Sequence, residues 1–312
     1  MQRHRPNRFT RRTLLKGAFA TMGVKLVPEG LLLAAQKIGN YNPNINPFKL
    51  KARLKALATS FGSGTPMDKV KRLFETLHKG GSLGVRVTPG AGRPPRTAAE
   101  TLDKGGDCTE LATLVIPLLR EMKVPGGALV VHFKNAPAKV DHMVPYALID
   151  GKKVIIDLQS DRLGATQQGK YTVLMTLSYD EAASMYHREW GDHLRDEGKR
   201  RVAIRAYRRA LEIYEKDAYV HQNLGILYER SGNMKPAAKH LRRAAQLDPR
   251  YKKHQKRGTY NEELQKGEQA LRERRWADCV EHFQNALDSG EKLREQEIKV
   301  IQNYRDHCKG KQ

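Results

Sequence analysis

The chain of 312 residues has little of what staples, anchors or stacks a protein. Its three cysteines, Cys108, Cys279 and Cys308, are too few for a disulfide scaffold and lack the CxxC or Cys/His spacing of a zinc site, so neither disulfides nor a structural metal are expected. No run approaches the roughly 18 consecutive apolar residues of a membrane-spanning helix, and the mean hydropathy is −0.67. What remains is 39% hydrophobic and 29% charged, enough apolar material for the cores of two ordinary domains.

Acidic residues are also scarce, and the net charge is +23. It is unevenly spread: +11 over residues 1–60, +3 over 61–185 and +9 over 186–312. The N-terminal excess has a specific form. Thr10-Arg11-Arg12-Thr13-Leu14-Leu15-Lys16 resembles a twin-arginine export signal, and the weakly apolar run from Gly17 to Val24 is followed by Leu31-Leu32-Leu33-Ala34-Ala35, which offers small residues for cleavage after Ala35. Residues 1–35 are therefore expected to be a signal or tether and the protein to be exported, periplasmic or tethered to the outer side of the inner membrane. Asn- and Pro-rich Tyr41–Phe48 places a linker over 36–64.

Thr65-Pro66 then caps a helix to about Lys79, and the Gly/Pro-rich stretch from Gly80 to Pro95 reads as a surface loop or mobile flap. Thr97 starts a short helix, Gly105-Gly106 break it, and Asp107-Cys108 open another whose Leu111, Leu114, Val115, Leu118 and Leu119 follow the helical period, with Pro117 expected to kink it. Cys108 thus sits where exposed N–H groups and the positive end of the helix dipole favour a thiolate. A β-type run from Ala128 to Phe133 follows, then Asp141-His142-Met143, a strand to Ile149, a hairpin turn at Asp150-Gly151, and a strand ending at Asp157. One thiol at a helix start, one imidazole and one carboxylate at strand ends are what thiol acyl transfer requires: nucleophile, proton carrier and imidazole orienter.

Gly106-Asp107-Cys108-Thr109-Glu110-Leu111-Ala112, followed by His142 and Asp157 in that order, resembles the transglutaminase-like core, a papain-like α+β fold whose pattern is G-x-C-x-E-x-A, then His and Asp on successive strands. The resemblance covers about a third of the chain. It implies a domain over 65–180 with catalytic Cys108, His142 and Asp157, no cofactor and no metal, acting on amide bonds as protease, amidase or transamidase. Asp157-Leu158-Gln159 departs from the usual D-x-T, no Trp precedes Cys108, and no Gln lies between Gln36 and Cys108 to hold an oxyanion. That leaves the Cys108 backbone N–H for the role and favours hydrolysis over cross-linking.

From Ser184 the chain repeats with a period of 34 residues: Trp190-Gly191, Leu194, Gly198, Ala203, Tyr207 and Ala210 recur as Leu224-Gly225, Tyr228, Gly232, Ala237, Leu241 and Ala244, with Pro249 closing the unit. After an eight-residue insertion, Gly267, Ala270, Trp276, Cys279, Phe283 and Ala286 occupy the same slots. This resembles the tetratricopeptide repeat, and implies an all-α solenoid of three repeats (184–217, 218–251 and 260–293), with a capping helix and tail over 291–312 and a protein partner. Cys279, in a small-residue slot, reads as packing. Arg205, Arg208 and Arg209 recur as Lys239, Arg242 and Arg243, which read as a solvated basic face, or alternatively as a dock for an acidic or anionic surface. Nucleic acid is disfavoured, because no aromatics interleave with the basic residues. The alternative to an enzyme is an inactive scaffold that works through its repeats.

Overall fold

The computed structural model describes residues 41–90, 92–133, 141–165 and 171–312; the expected signal over 1–35 lies outside them. The chain forms two compact units that divide between Glu215 and Lys216.

The first unit holds α1 (Ala52–Ser60), α2 (Pro66–Leu77), α3 (Ala98–Lys104), α4 (Cys108–Glu121), strands β1 (Gly126–Phe133), β2 (Asp141–Ile149), β3 (Lys152–Asp157), β4 (Arg162–Ala165) and β5 (Tyr171–Ser178), then α5 (Ala183–Asp196) and α6 (Arg200–Ile213). The strands form one antiparallel sheet in the order β4-β3-β2-β1-β5. The β2–β3 turn sits where Asp150-Gly151 requires it, with φ of 50° and 73°, a pair that suits the right-handed twist of the flanking strands. β4 and β5 carried no expectation from the sequence: β4 is four residues long, and β5 exposes Thr172, Val173, Thr176 and Ser178 on an edge.

Helix α4 is the axis of this unit. All its side chains from Thr109 to Leu119 are buried. One side packs with Ala147, Val154 and Ile156, the other with Ala128, Val130 and Met143. The helix assignment runs through Pro117 without a break. Truncation of a fully buried leucine such as Leu114 or Leu118 to alanine costs about 2–5 kcal/mol, so this contact dominates the unit's stability.

Residues 41–64 do not form a linker, and 36–40 lie outside the described residues. Leu54, Ala58 and Phe61 of α1 and its flank are buried in the same core as α4, the Tyr41 hydroxyl bonds His187 Nδ1 at 2.9 Å, and the Pro47 carbonyl accepts the Ala98 N–H at 3.0 Å. The Asn/Pro composition of 41–48 concealed an amphipathic turn pattern at Leu54, Leu57, Ala58 and Phe61. The first helical hairpin, α5–α6, also belongs to this unit: Ala182 and Met185 enter the core beneath α4.

The second unit comprises α7 (Ala218–Arg230), α8 (Met234–Leu247), a 3₁₀ turn (Pro249–Tyr251), α9 (Lys253–Arg272), α10 (Trp276–Asp288) and α11 (Glu295–Lys309). The repeat glycine explains the pairing. A Cβ on Gly225 would lie 2.6 Å from Leu241, and one on Gly267 would lie 3.0 Å from Phe283. In the first unit a Cβ on Gly191 would lie 2.4 Å from Tyr207, the same contact in α5–α6. Only hydrogen at that slot lets the paired helices cross so closely.

One sequence expectation is overturned here. Cys279 of α10 and Cys308 of α11 are both fully buried and joined as a disulfide across 29 residues. The pairing arises from how the capping helix lies on α10, which no local spacing encodes. By loop-closure entropy such a link stabilises by roughly 3–4 kcal/mol. Cys308→Ala is expected to lower the urea midpoint of the second unit's transition, and wild type treated with reductant is expected to fall to the same midpoint; equal midpoints with and without reductant would show that the bond contributes nothing.

Candidate functional site

The start of α4 is built around two carboxylates. Asp107 is the N-cap: its Oδ1 accepts the Glu110 N–H at 3.0 Å, and Glu110 Oε2 accepts the Asp107 N–H at 3.1 Å, a closed capping box. Glu110 is only 2% exposed, and its burial is compensated by further donors: the Arg93 guanidinium grips both carboxylate oxygens, and the Arg96 N–H reaches Oε1 at 2.7 Å. Pairing with Glu110 pushes the Arg93 pKa up.

The described residues 80–90 and 92–95 are tied by hydrogen bonds to the start of α4. The Thr88 N–H donates to the Gly106 carbonyl at 2.9 Å, the Gly106 N–H donates to the Arg86 carbonyl at 3.0 Å, and Arg96 reaches the Lys104 and Gly105 carbonyls at 2.9 and 2.7 Å. Gly90 lies so close over Asp107 that a Cβ there would be 1.8 Å from its Oδ2. Composition had suggested freedom, but two arginines and a buried carboxylate remove it. Glu110 and Arg93 were missed as positioning residues, although the Glu of the capping box was visible in the sequence.

Cys108, half-buried, is the first residue of α4. The structure brings His142 to Asp157, and Cys108 lies near enough to contribute to the raised pKa of the imidazole. His142 Nε2 lies 2.9 Å from Asp157 Oδ2. Asp157 is itself held, since its Oδ1 accepts the N–H groups of Gln159 and Ser160, each at 3.1 Å. All three residues singled out in the sequence thus meet at one place, with His142 and Asp157 each 6% exposed. His132 bonds Asp141 at 3.3 Å across the β1–β2 ladder, in keeping with a structural role.

The electrostatics favour a charged imidazole. Burial pulls the His142 pKa down, but hydrogen bonds to Asp157 and Cys108 and their negative charge outweigh it, raising it from 6.5 to about 9. Burial pushes Asp157 up, yet the His142 hydrogen bond and charge together with the Ser160 donors hold its carboxyl below the usual range. Chemically, the arrangement can keep a proton on His142, within reach of the sulfur, at neutral pH. The Asp107 side chain takes the Glu110 N–H.

The second unit carries a groove of about 630 Å³ bordered by Arg230, Lys253, Lys256, Arg257 and Lys292. Arg257 is committed to Glu229; the other four form no ion pair among the described residues.

Comparison with known proteins identifies the helical part of the chain. Residues 218–251, α7 and α8 with the turn after them, match the tetratricopeptide repeat family. The chain therefore contains a tetratricopeptide-like helical repeat region downstream of an α+β region with a sheet. Among solved structures it is similar to the first tetratricopeptide domain of Spaghetti (RPAP3) bound to the HSP90 peptide SRMEEVD, at 15% identity over 38% of this chain and 90% of that one, with a TM-score of 0.26. It is also similar to the Sgt2 tetratricopeptide domain from Aspergillus fumigatus, at 19% identity over 41% of this chain and 78% of that one, with a TM-score of 0.25. No curated protein matches the chain.

Because the folded His142 pKa lies above its free value, the stability it contributes is complete below about pH 6.5 and lost as the pH rises through about 9. The stability difference between wild type and His142→Gln is accordingly expected to shrink between pH 7 and 10, and the His142 imidazole signals in NMR to titrate near 9. In Asp157→Asn that midpoint should fall by at least one pH unit; a wild-type midpoint near 6.5 would contradict the pairing.

Proposed function

We propose that residues 41–215 act on an amide bond through Cys108, His142 and Asp157, as a transglutaminase-like cysteine hydrolase or acyl transferase. The single observation that supports this most is the His142–Asp157 pair at 2.9 Å, with Cys108 near enough to help raise the imidazole pKa. In the proposed reaction the Cys108 sulfur attacks the amide carbonyl carbon while the thiol proton resides on His142. The oxyanion forms against the Cys108 N–H at the α4 N-terminus. As the C–N bond breaks, His142 gives its proton to the departing amine and a thioester remains. Water or an amine then attacks the thioester, its proton passing to His142 and back to the thiol. Asp157 keeps the imidazole oriented and stabilises its charge throughout. No step requires a cofactor.

The helical repeats are proposed to dock a protein or peptide, the usual use of stacked helical repeats. The unpaired Arg230, Lys253, Lys256 and Lys292 around the groove favour an acidic partner. Export is supported by Arg11-Arg12 and by the buried Cys279–Cys308 bond, since disulfides persist in oxidising compartments.

The decisive measurement is intact mass after treatment with a peptidyl electrophile. A stoichiometric adduct on Cys108 is expected in the wild type, none in Cys108→Ala, and a rate at least tenfold lower in His142→Ala. A folded wild-type protein that forms no adduct across several electrophiles would turn the reading to a scaffold that works through its repeats. For export, replacing Arg11 and Arg12 by Lys is expected to retain the protein inside the cell; an unchanged location would remove that part of the proposal.

A further inference from the structure

Along the C-terminal half of α4 the first unit carries a groove of about 960 Å³, bounded by the segment 44–50, by α4 itself and by α5 and α6. Phe48, Ile116, Pro117 and Ile213 supply its apolar lining. Pro117 has no part in the proposed thiol chemistry. In the groove it adds carbon surface without a backbone N–H. Ile116 stands eight residues beyond Cys108 in α4, which at about 1.5 Å per residue is about 12 Å along the helix axis. The groove is therefore a separate place from the thiol, carried on the same helix.

Its charge is positive. Lys49, Lys55 and Lys123 are exposed and form no ion pair among the described residues, whereas Arg120 is taken by Asp180 at 2.6 Å. Among the described residues Glu121 is the one lining carboxylate outside a pair, so three free lysines face one free carboxylate. Arg209 spends Nη1 on Glu212 at 2.9 Å, and its Nε has no hydrogen-bond partner among the described residues. A carboxylate would satisfy that donor. Cations drawn from three stretches of chain, at 49–55, at 123 and at 209, call for more than one negative group on an occupant. The apolar lining calls for hydrocarbon as well. The volume lies at the upper end of the range for small-molecule pockets, about 300–1,000 Å³, and admits several residues of extended chain.

We infer that this groove is an exosite: it docks an extended peptide segment in which acidic residues flank bulky apolar ones, at a distance from the amide that Cys108 attacks. The docking follows from the groove alone, and its role as a substrate site rests on the proposed thiol chemistry. An extended chain rises about 3.3 Å per residue, so the span of about 12 Å from Cys108 to Ile116 takes roughly four residues or more. The docked segment is thus not adjacent to the reacting amide, and it selects a protein or long peptide over a small amide. A fatty acid presents one carboxylate to three free lysines and leaves most of that charge unmet.

The test reads the groove by its own side chains. In full-length Cys108→Ala, acetyl-Glu-Asp-Leu-Phe-Asp-Glu-amide is titrated against the methyl NMR signals of Ile116 and Ile213, with the same peptide carrying Lys at every acidic position as the comparison. The acidic peptide is expected to shift both signals saturably and the basic one not. Its dissociation constant is expected to rise at least tenfold in the double variant Lys49→Glu/Lys55→Glu and, as an independent second variant, in Ala183→Leu, which fills the groove from α5. The methyl signals of Ile226, in the groove of the second unit, report any binding there separately. Shifts at Ile116 and Ile213 that are absent, or equal for the two peptides, would overturn the exosite, as would dodecanoate shifting them where the acidic peptide does not. With Cys108 intact, an electrophile joined to the acidic segment through a Gly/Ser linker of about six residues is expected to label Cys108 at least fivefold faster than electrophile and linker alone. Lys49→Glu/Lys55→Glu should lose that advantage while reacting with a small haloacetamide as the wild type does. Docking without the advantage, on a thiol whose labelling depends on His142, would overturn the substrate role. Docking on a protein with no His142-dependent labelling would instead overturn the thiol chemistry and leave a peptide site.

Discussion

The buried carboxylate of Glu110 is the constraint on which the first unit's site depends. An ionised carboxylate taken out of water costs several kcal/mol unless hydrogen-bonded charges replace the solvent. Here the replacements come from three places in the chain: the Arg93 guanidinium, the Arg96 N–H and the Asp107 N–H. The cost can be met only when the loop 80–95 lies against the start of α4. The same bonds that satisfy Glu110 therefore fix the backbone turn on which Cys108 stands. A glycine-rich segment becomes rigid because leaving it loose would strand a buried charge.

Burial in α4 then carries that fixed point to the sheet. Because the helix buries every side chain from Thr109 to Leu119, its position over β2 and β3 leaves little freedom, and His142 and Asp157 at the ends of those strands arrive at the Cys108 end of the helix. The helix α5 completes the packing. Ala182 and Met185 fill the gap beside Ala112 and Ile116, and Tyr41 binds the far side of α5 through His187, whose burial pulls its pKa down to about 4 and keeps it neutral. A helix with a repeat signature thus serves as a structural wall of the α+β unit.

How much of this was legible in the sequence follows from how local each determinant is. The caps at Thr65, Thr97 and Asp107, the Asp150-Gly151 hairpin and the 34-residue glycine period are short-range codes, and the elements begin where those residues place them. The meeting of Cys108, His142 and Asp157 could be anticipated because a helix start and two strand ends were each marked locally. Three features depended on contacts distant in sequence and escaped: α1 entering the core, Arg93 clasping Glu110, and Cys279 bonding Cys308. In each case composition pointed the other way, since Asn, Pro and Gly describe a segment's freedom when isolated and say nothing of a partner that removes it.

Charge shows the same limit. The basic columns of two adjacent repeats read as a solvated face, and within them Arg209 pairs with Glu212 and Arg242 with Glu262. Such pairs at partly exposed positions contribute little to stability, typically 0–1 kcal/mol, but they lower the local potential that a partner would meet. Arg257 is drawn further in, where Glu229 and the face of Tyr260 hold it. Among the described residues, Lys239 and Arg243 of the second unit's column form no ion pair, and neither do Arg230, Lys253, Lys256 and Lys292 around its groove, where Glu229 and Glu291 also stand. Net charge set by composition becomes a surface potential only after the internal pairs have been subtracted.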